Sequence, residues 1–166
     1  MATEKLRLGS LMPTFELLSV NGKKVNAKEV EVTKLMLVIF SCNHCPYVQA
    51  YEERIKKITA DYENDLVVIA INSNDENNYP EDSFANMKLR ADEKGFNFHY
   101  LRDETQEVAK SFGATHTPEV FLFNEKRDLV INGKIDDNWQ DESRVNSNYL
   151  RDAINELLSG KEISVP

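Results

Sequence analysis

Two cysteines, Cys42 and Cys45, stand three positions apart in Ser41-Cys42-Asn43-His44-Cys45-Pro46. Two intervening residues let both sulfurs meet in a small disulfide ring without large backbone distortion, so the pair has the reach of a dithiol–disulfide couple. The setting adds reactivity. Residues 35–40 form an apolar run of strand length, and such runs mark strands buried on both faces. Beyond the cysteines, Val48, Tyr51, Ile55, Ile58 and Tyr62 recur at helical spacing. Pro46 sits where a first-turn proline belongs, since its missing N–H would have no partner there. Cys45 is thereby placed at the helix N-cap and Cys42 in the loop just before it. Unpaired backbone N–H groups and the helix dipole favour negative charge at that point, and cysteines so placed are the nucleophilic ones.

Other chemistry for the pair stays open on the residues alone. Free cysteines are often buried and inert. A metal site is a further alternative: two thiolates fill half a tetrahedral shell, and His44 and His116 would have to complete it. A C-x-x-C between strand and helix in an α/β pattern favours redox chemistry over both. Thr117-Pro118 precedes the strand-like residues 119–123. A proline opening a strand costs no ladder hydrogen bond. X–Pro bonds are cis in only about 5–6% of folded cases, so the isomer is not readable here.

Three histidines and a tryptophan are weighed beside the cysteines. His44, between them, is either a neighbour of the thiolate or a solvent-facing loop residue. His116, next to Thr117-Pro118, either faces the Cys45 sulfur as a proton carrier or is a loop residue. His99 lies in a strand-like stretch and reads as structural. Trp139 reads as a surface anchor or as a cap on the core, and its indole needs a polar partner if buried. The acidic residues Asp136, Asp137, Asp141 and Glu142 read as a solvated loop rather than a metal site.

The elements that position these residues follow from pattern. Residues 15–20, Asn21-Gly22 and a short strand near Val25 read as a hairpin. Residues 66–71 are a second buried strand, and residues 72–80 are a polar loop. Phe84, Met87 and Ala91 give a helix stopping near Gly95, and residues 99–102 a short strand. Asp103 and Gln106 have capping-box spacing ahead of a short helix with Val108, Ala109 and Phe112 on its buried side and Gly113 at its end. Residues 120–123 and 129–131 read as a hairpin, and Leu150, Ile154 and Leu157 line a last helix closed by Gly160. The order β, β, β, α, β, α, β, α, β, β, α calls for an α/β sheet with an antiparallel edge.

Composition bounds the function. The chain has 166 residues, enough for one domain over residues 1–166, and 41% hydrophobic residues, enough for a core. A formal charge of −8 disfavours a nucleic-acid partner, which needs a basic face. No apolar run spans a bilayer, and Met1-Ala2-Thr3-Glu4-Lys5 shows no signal-peptide apolar region. A cytoplasmic location is expected, or a periplasmic one if a leader has been removed. Two cysteines exclude a disulfide-rich mini-fold and a four-cysteine zinc site.

Taken together, these motifs resemble the thioredoxin superfamily. Gly9-Ser10-Leu11-Met12-Pro13-Thr14-Phe15-Glu16-Leu17 and Asn21-Gly22-Lys23 are similar to the peroxiredoxin and cytochrome-maturation thioredoxin branch. Phe40-Ser41-Cys42-Asn43-His44-Cys45-Pro46-Tyr47-Val48 resembles the signature of a peroxiredoxin-like (AhpC/TSA-related) group of bacterial thioredoxin-fold thiol–disulfide oxidoreductases. So do Ile71-Asn72-Ser73-Asn74-Asp75, Tyr79-Pro80-Glu81-Asp82-Ser83, Asp103-Glu104-Thr105-Gln106-Glu107-Val108 and Lys134-Ile135-Asp136-Asp137. The likeness covers residues 8–161. It implies a thioredoxin-like fold: a central mixed sheet flanked by helices, with an N-terminal β-hairpin extension of the peroxiredoxin type.

The family register implies roles. Cys45 stands five positions after Phe40 and seventeen before Tyr62. It thereby resembles the thioredoxin nucleophile and the peroxidatic cysteine of peroxiredoxins. Val48 occupies the place of the usual second thioredoxin cysteine, and the partner stands upstream at Cys42, where a peroxiredoxin carries a hydroxyl. Pro118 takes the place of the peroxiredoxin arginine. His44 resembles the histidine of a C-x-H-C element that stabilises the thiolate in oxidising relatives. His116 stands where many members carry a third cysteine.

These substitutions imply a dithiol–disulfide exchange enzyme with no cofactor and no bound metal. Cys42, Cys45 and Pro118 form the working site, with His44, Pro46, Thr117 and His116 in support. Partners are protein or small-molecule disulfides and thiols and a cellular dithiol reductant. Two alternatives stand beside it. One is an antioxidant peroxidase, with peroxides as substrate and Cys45 peroxidatic. The other is a copper metallochaperone using Cys42, Cys45 and a histidine, although in that class the cysteines are normally one residue further apart.

Overall fold

The computed structural model describes residues 5–161; residues 1–4, part of the stretch read for a signal-peptide apolar region, and residues 162–166 lie outside the described residues. The elements come in the expected order: β1 (Glu16–Ser19), β2 (Lys24–Asn26), β3 (Leu35–Ser41), α1 (Pro46–Asp61), β4 (Leu66–Asn72), α2 (Phe84–Lys94), β5 (His99–Arg102), α3 (Glu107–Phe112), β6 (Glu119–Phe123), β7 (Leu129–Gly133) and α4 (Tyr149–Leu158). Single 3-10 turns at Pro80–Asp82 and Glu142–Arg144 interrupt two loops. None of the described helices is long and apolar enough to cross a membrane.

The strands form one mixed sheet in the order β2-β1-β5-β4-β3-β6-β7. β3, β4 and β6 are buried along their whole length, as their apolar runs require. β3 runs parallel to β4 and antiparallel to β6. The N-terminal hairpin adds to the far edge through β1, antiparallel to β5. Gly22 takes φ +86° in its turn, a conformation that costs glycine little.

Strand alternation sends side chains to two cores. Met36, Val38 and Phe40 meet Phe112 of α3 and the N-terminal Met12 and Phe15 on one face. Leu35, Leu37 and Ile39 meet Tyr51, Ile55 and Ile58 of α1 and Leu150 and Ile154 of α4 on the other. Phe112 is the hub of the first core, edge-on to Phe40 and Phe121 at 5.2 Å each. Such contacts fix the end of β3, and therefore the loop that carries the cysteines.

One local reading is corrected. Asp103 and Gln106 do not form a capping box. Gln106 itself is the N-cap of α3, at φ +65°, and its side-chain amide donates to Ser73 O. Asp103 instead accepts from the N–H groups of Val108 and Ala109, at 3.3 and 2.9 Å. The carboxylate still satisfies the helix start, but from one turn farther back.

Candidate active site

β3 ends at Ser41 and α1 begins at Pro46, so both cysteines lie on the short connection between them. Cys45 is the N-cap of α1, with φ −76° and ψ 122°, and its side chain makes no capping hydrogen bond. The sulfur is half-buried and donates towards Thr117 O at 3.7 Å. Cys42 is buried, its sulfur 3.6 Å from Thr117 Oγ1. Both thiols are free, and both meet the same residue, the first of the cis Thr117–Pro118 pair. Pro46 opens the helix as its spacing predicts. Burial pushes the Cys42 thiol up to about 12; the Thr117 hydroxyl opposes this, while Cys45 and Asp82 add to it.

The two residues between the cysteines are firmly held. Asn43 is buried: its N–H donates to Asp82 Oδ1 at 2.5 Å and its side-chain amide to Glu81 O at 2.6 Å. Its Oδ1 accepts from the Tyr100 hydroxyl at 2.7 Å. His44 binds the Asp82 carboxylate through Nδ1 and stacks on Tyr79, ring centroids 4.7 Å apart. It is therefore not a simple solvent-facing loop residue.

Asp82 is wholly buried and accepts from four groups: Asn43 N–H and Asn72 Nδ2 at one oxygen, His44 Nδ1 and Asn74 Nδ2 at the other. Burial alone would raise its pKa, but hydrogen bonds from Asn74, Asn43 and Asn72, with His44 beside them, hold it below the usual aspartate range. The sequence signatures that contain Asp82, Asn72, Asn74 and Tyr79 were visible, but nothing in their spacing assigned them a role. That role needs the β4–α2 loop to fold over the cysteine loop.

Among the described residues, the donors that converge are Cys42, His44 and Asp82, whose candidate atoms lie within 4.8 Å of one another. That set differs from the one the copper reading needs, because it lacks Cys45. Asp82 also already carries four hydrogen bonds, with which a cation would compete.

His116 is half-exposed. Its Nδ1 lies 3.1 Å from Thr115 Oγ1 and 3.5 Å from the buried Glu119 carboxylate. Glu119 also accepts from Lys5, Thr115 N–H and Asn132. Its burial favours a raised pKa, but those donors hold it lowered. His99 is half-buried in β5, as a structural residue would be, and burial lowers its pKa.

Two cavities flank Thr117. One, about 260 Å³, is lined by Tyr47, Tyr51, Pro118, Ile135 and Trp139 and so presents an aromatic wall. Trp139 packs on Tyr47 with ring centroids 4.2 Å apart. The other, about 430 Å³, is more polar, with Ser73, Asn74, Gln106 and Lys110 on its wall.

Asp136 corrects another reading. It is not part of a solvated acidic loop but is buried. It accepts from the Tyr51 hydroxyl at 3.0 Å and from Arg54 Nη1 at 3.0 Å. Arg54 is buried too, and its guanidinium lies 4.6 Å from the Tyr51 ring centroid.

Comparison with known proteins agrees with this architecture. The Redoxin family model matches residues 7–149. An uncharacterized conserved protein from Geobacillus kaustophilus is 36% identical, with TM-score 0.90 over 98% of this chain and 88% of its own. A hypothetical protein from Sinorhizobium meliloti is 33% identical, with TM-score 0.91 over 99% of this chain and 91% of its own. The thioredoxin domain of a thiol-disulfide oxidoreductase from Bacteroides vulgatus shares the fold at 15% identity, with TM-score 0.66 over 77% of this chain and 89% of its own. No curated protein matches the chain at a significant level. The chain belongs to the Redoxin family and is a redox protein of thioredoxin-like fold.

Proposed function

We propose that this protein is a thiol–disulfide oxidoreductase in which Cys45 is the nucleophile and Cys42 the resolving partner. One observation carries the reading: two sulfurs meet at Thr117, and their environments are opposite. Cys45 caps a helix N-terminus and is only half-buried, so an incoming disulfide can reach it. Cys42 is buried, and burial keeps its proton on the sulfur.

Cys45 thiolate attacks one sulfur of a substrate disulfide. A Cys45–substrate disulfide forms and the other half leaves as a thiolate. Cys42 then attacks Cys45 Sγ, the substrate thiol departs, and the Cys42–Cys45 disulfide remains. A cellular dithiol returns the pair to the reduced state. Thr117 stands against both sulfurs, with Pro118 next in the chain, where the substrate must approach. Cys42 in place of a hydroxyl, and Pro118 in place of an arginine, favour disulfides over peroxides as substrate.

The test is trapping. With glutathione disulfide, Cys42→Ser accumulates the mixed disulfide at Cys45, read by mass spectrometry, and Cys45→Ser does not. Accumulation at Cys42 in the Cys45→Ser protein, with none in Cys42→Ser, reverses the assignment.

A further inference from the structure

We infer that His44, held by the buried carboxylate of Asp82, is the base that removes the Cys42 proton in the resolving step. The inference rests on the resolving role given to Cys42 above. A buried, protonated thiol is a poor nucleophile, so the second half of the exchange needs a proton acceptor. One ring nitrogen of His44, one oxygen of Asp82 and the Cys42 sulfur lie within 4.8 Å of one another. The three groups are of the types that serve as nucleophile, base and orienting carboxylate.

The carboxylate does two things. Accepting from Nδ1, it fixes the tautomer and leaves Nε2 free to take a proton. Held ionised by three amide donors, it compensates the charge the ring gains. Tyr79, stacked on the ring, restricts its rotation. In the proposed step a bridging water relays the proton from the Cys42 sulfur to Nε2.

The step balances as follows. The Cys42 S–H proton passes to His44 Nε2. The Cys42 thiolate forms a bond to Cys45 Sγ, and the bond from Cys45 Sγ to the substrate sulfur breaks. The electron pair leaves on the substrate thiolate, which takes the proton from the imidazolium or from solvent. The protein dithiol is oxidised by two electrons and the substrate disulfide is reduced by two. Asp82 acts through His44 and is a positioning residue. The other titratable groups around the pair are Tyr79, Cys45 and Tyr100, the last bonded to both Asn43 and Asn72.

The test uses reduced full-length protein and one equivalent of a symmetric nitrobenzoate disulfide, which releases one coloured thiolate per step. The first release reads Cys45 attack and the second reads Cys42 attack. An aromatic thiolate leaves without needing a proton, so the second release isolates deprotonation of Cys42. His44→Asn is expected to leave the first release within about threefold and slow the second by about 10²-fold. The slowed step then rises about tenfold per pH unit, following hydroxide, and added imidazole partly restores it. Asp82→Asn slows the second release by about tenfold with the same change in pH profile. Because His44 is partly exposed, His44→Asn decides the matter even if Asp82→Asn fails to fold.

An unchanged second release in His44→Asn overturns the inference. So does a slowed first release with a normal second one, which would make His44 a partner of Cys45. Cys42→Ser separates this from the underlying reading: it must keep the first release and lose the second. Loss of the first release in Cys42→Ser defeats the assignment of roles itself.

Discussion

Asp82 and Asp136 are both buried carboxylates near the cysteine loop, and they are neutralised differently. Asp136 is paired with the Arg54 guanidinium and the Tyr51 hydroxyl under the aromatic cavity. Among the described residues, the partners of Asp82 are instead a backbone N–H, two asparagine amides and a histidine ring. The first arrangement ties α1 to the loop after β7. The second holds an imidazole ring against a buried carboxylate, with the Cys42 sulfur close to both. The same side-chain type is a brace in one place and a setting for chemistry in the other, and what separates them is the partner.

Four variants probe that contrast. Cys45→Ser is expected to lower disulfide exchange by more than about 10³-fold, about 4 kcal/mol of barrier, while urea unfolding shifts by less than about 1 kcal/mol. An equally large stability loss would mean that the chemical region is also a brace. Arg54→Met leaves the Asp136 carboxylate buried without its cation. It should cost about 3–5 kcal/mol in urea unfolding, with exchange by the folded fraction within about threefold. A marginal stability loss would remove Asp136 and Arg54 from the brace role.

The third contrast is in acid. The folded pKa of Asp82 lies below the unfolded one, so its contribution is present above the unfolded value, about 3.9, and is lost as pH falls through the folded value. Acid unfolding of the wild type therefore steepens below the ordinary aspartate range, and Asp82→Asn flattens that limb; two superimposable acid limbs would contradict it. The smallest expected effect is Trp139→Ala. Removing half of the Tyr47–Trp139 wall should reduce kcat/KM for apolar peptide disulfides about threefold to tenfold and leave small polar disulfides unaffected. An equal loss for both substrates would mean the wall supports the loop rather than the substrate.

Much of the fold was legible because it is local. Residues 35–40 and 66–71 are apolar throughout and lie in wholly buried strands. Gly95 and Gly113 close helices in the left-handed conformation that favours glycine. The placement of Cys45 at a helix start could be read from Pro46 and the stripe after it. The Asp82 network could not, because its donors come from β4 and two loops, with as many as 39 positions between donor and acceptor. Asp136 was misread for the same reason. Among other acidic residues it looks solvated, and only the packing of α1 brings Arg54 and Tyr51 to it. The Asp103 cap was misplaced by three residues, because Gln106 turns into the left-handed region and the helix starts later.

The most direct test of the unequal pair is competitive alkylation of the reduced protein at neutral pH, with each cysteine followed by peptide mass spectrometry. The structure predicts that Cys45 is modified quickly while Cys42 stays protected until the solution is strongly alkaline. Modification of Cys42 first, or of both at one rate, would contradict the division of labour on which the mechanism depends.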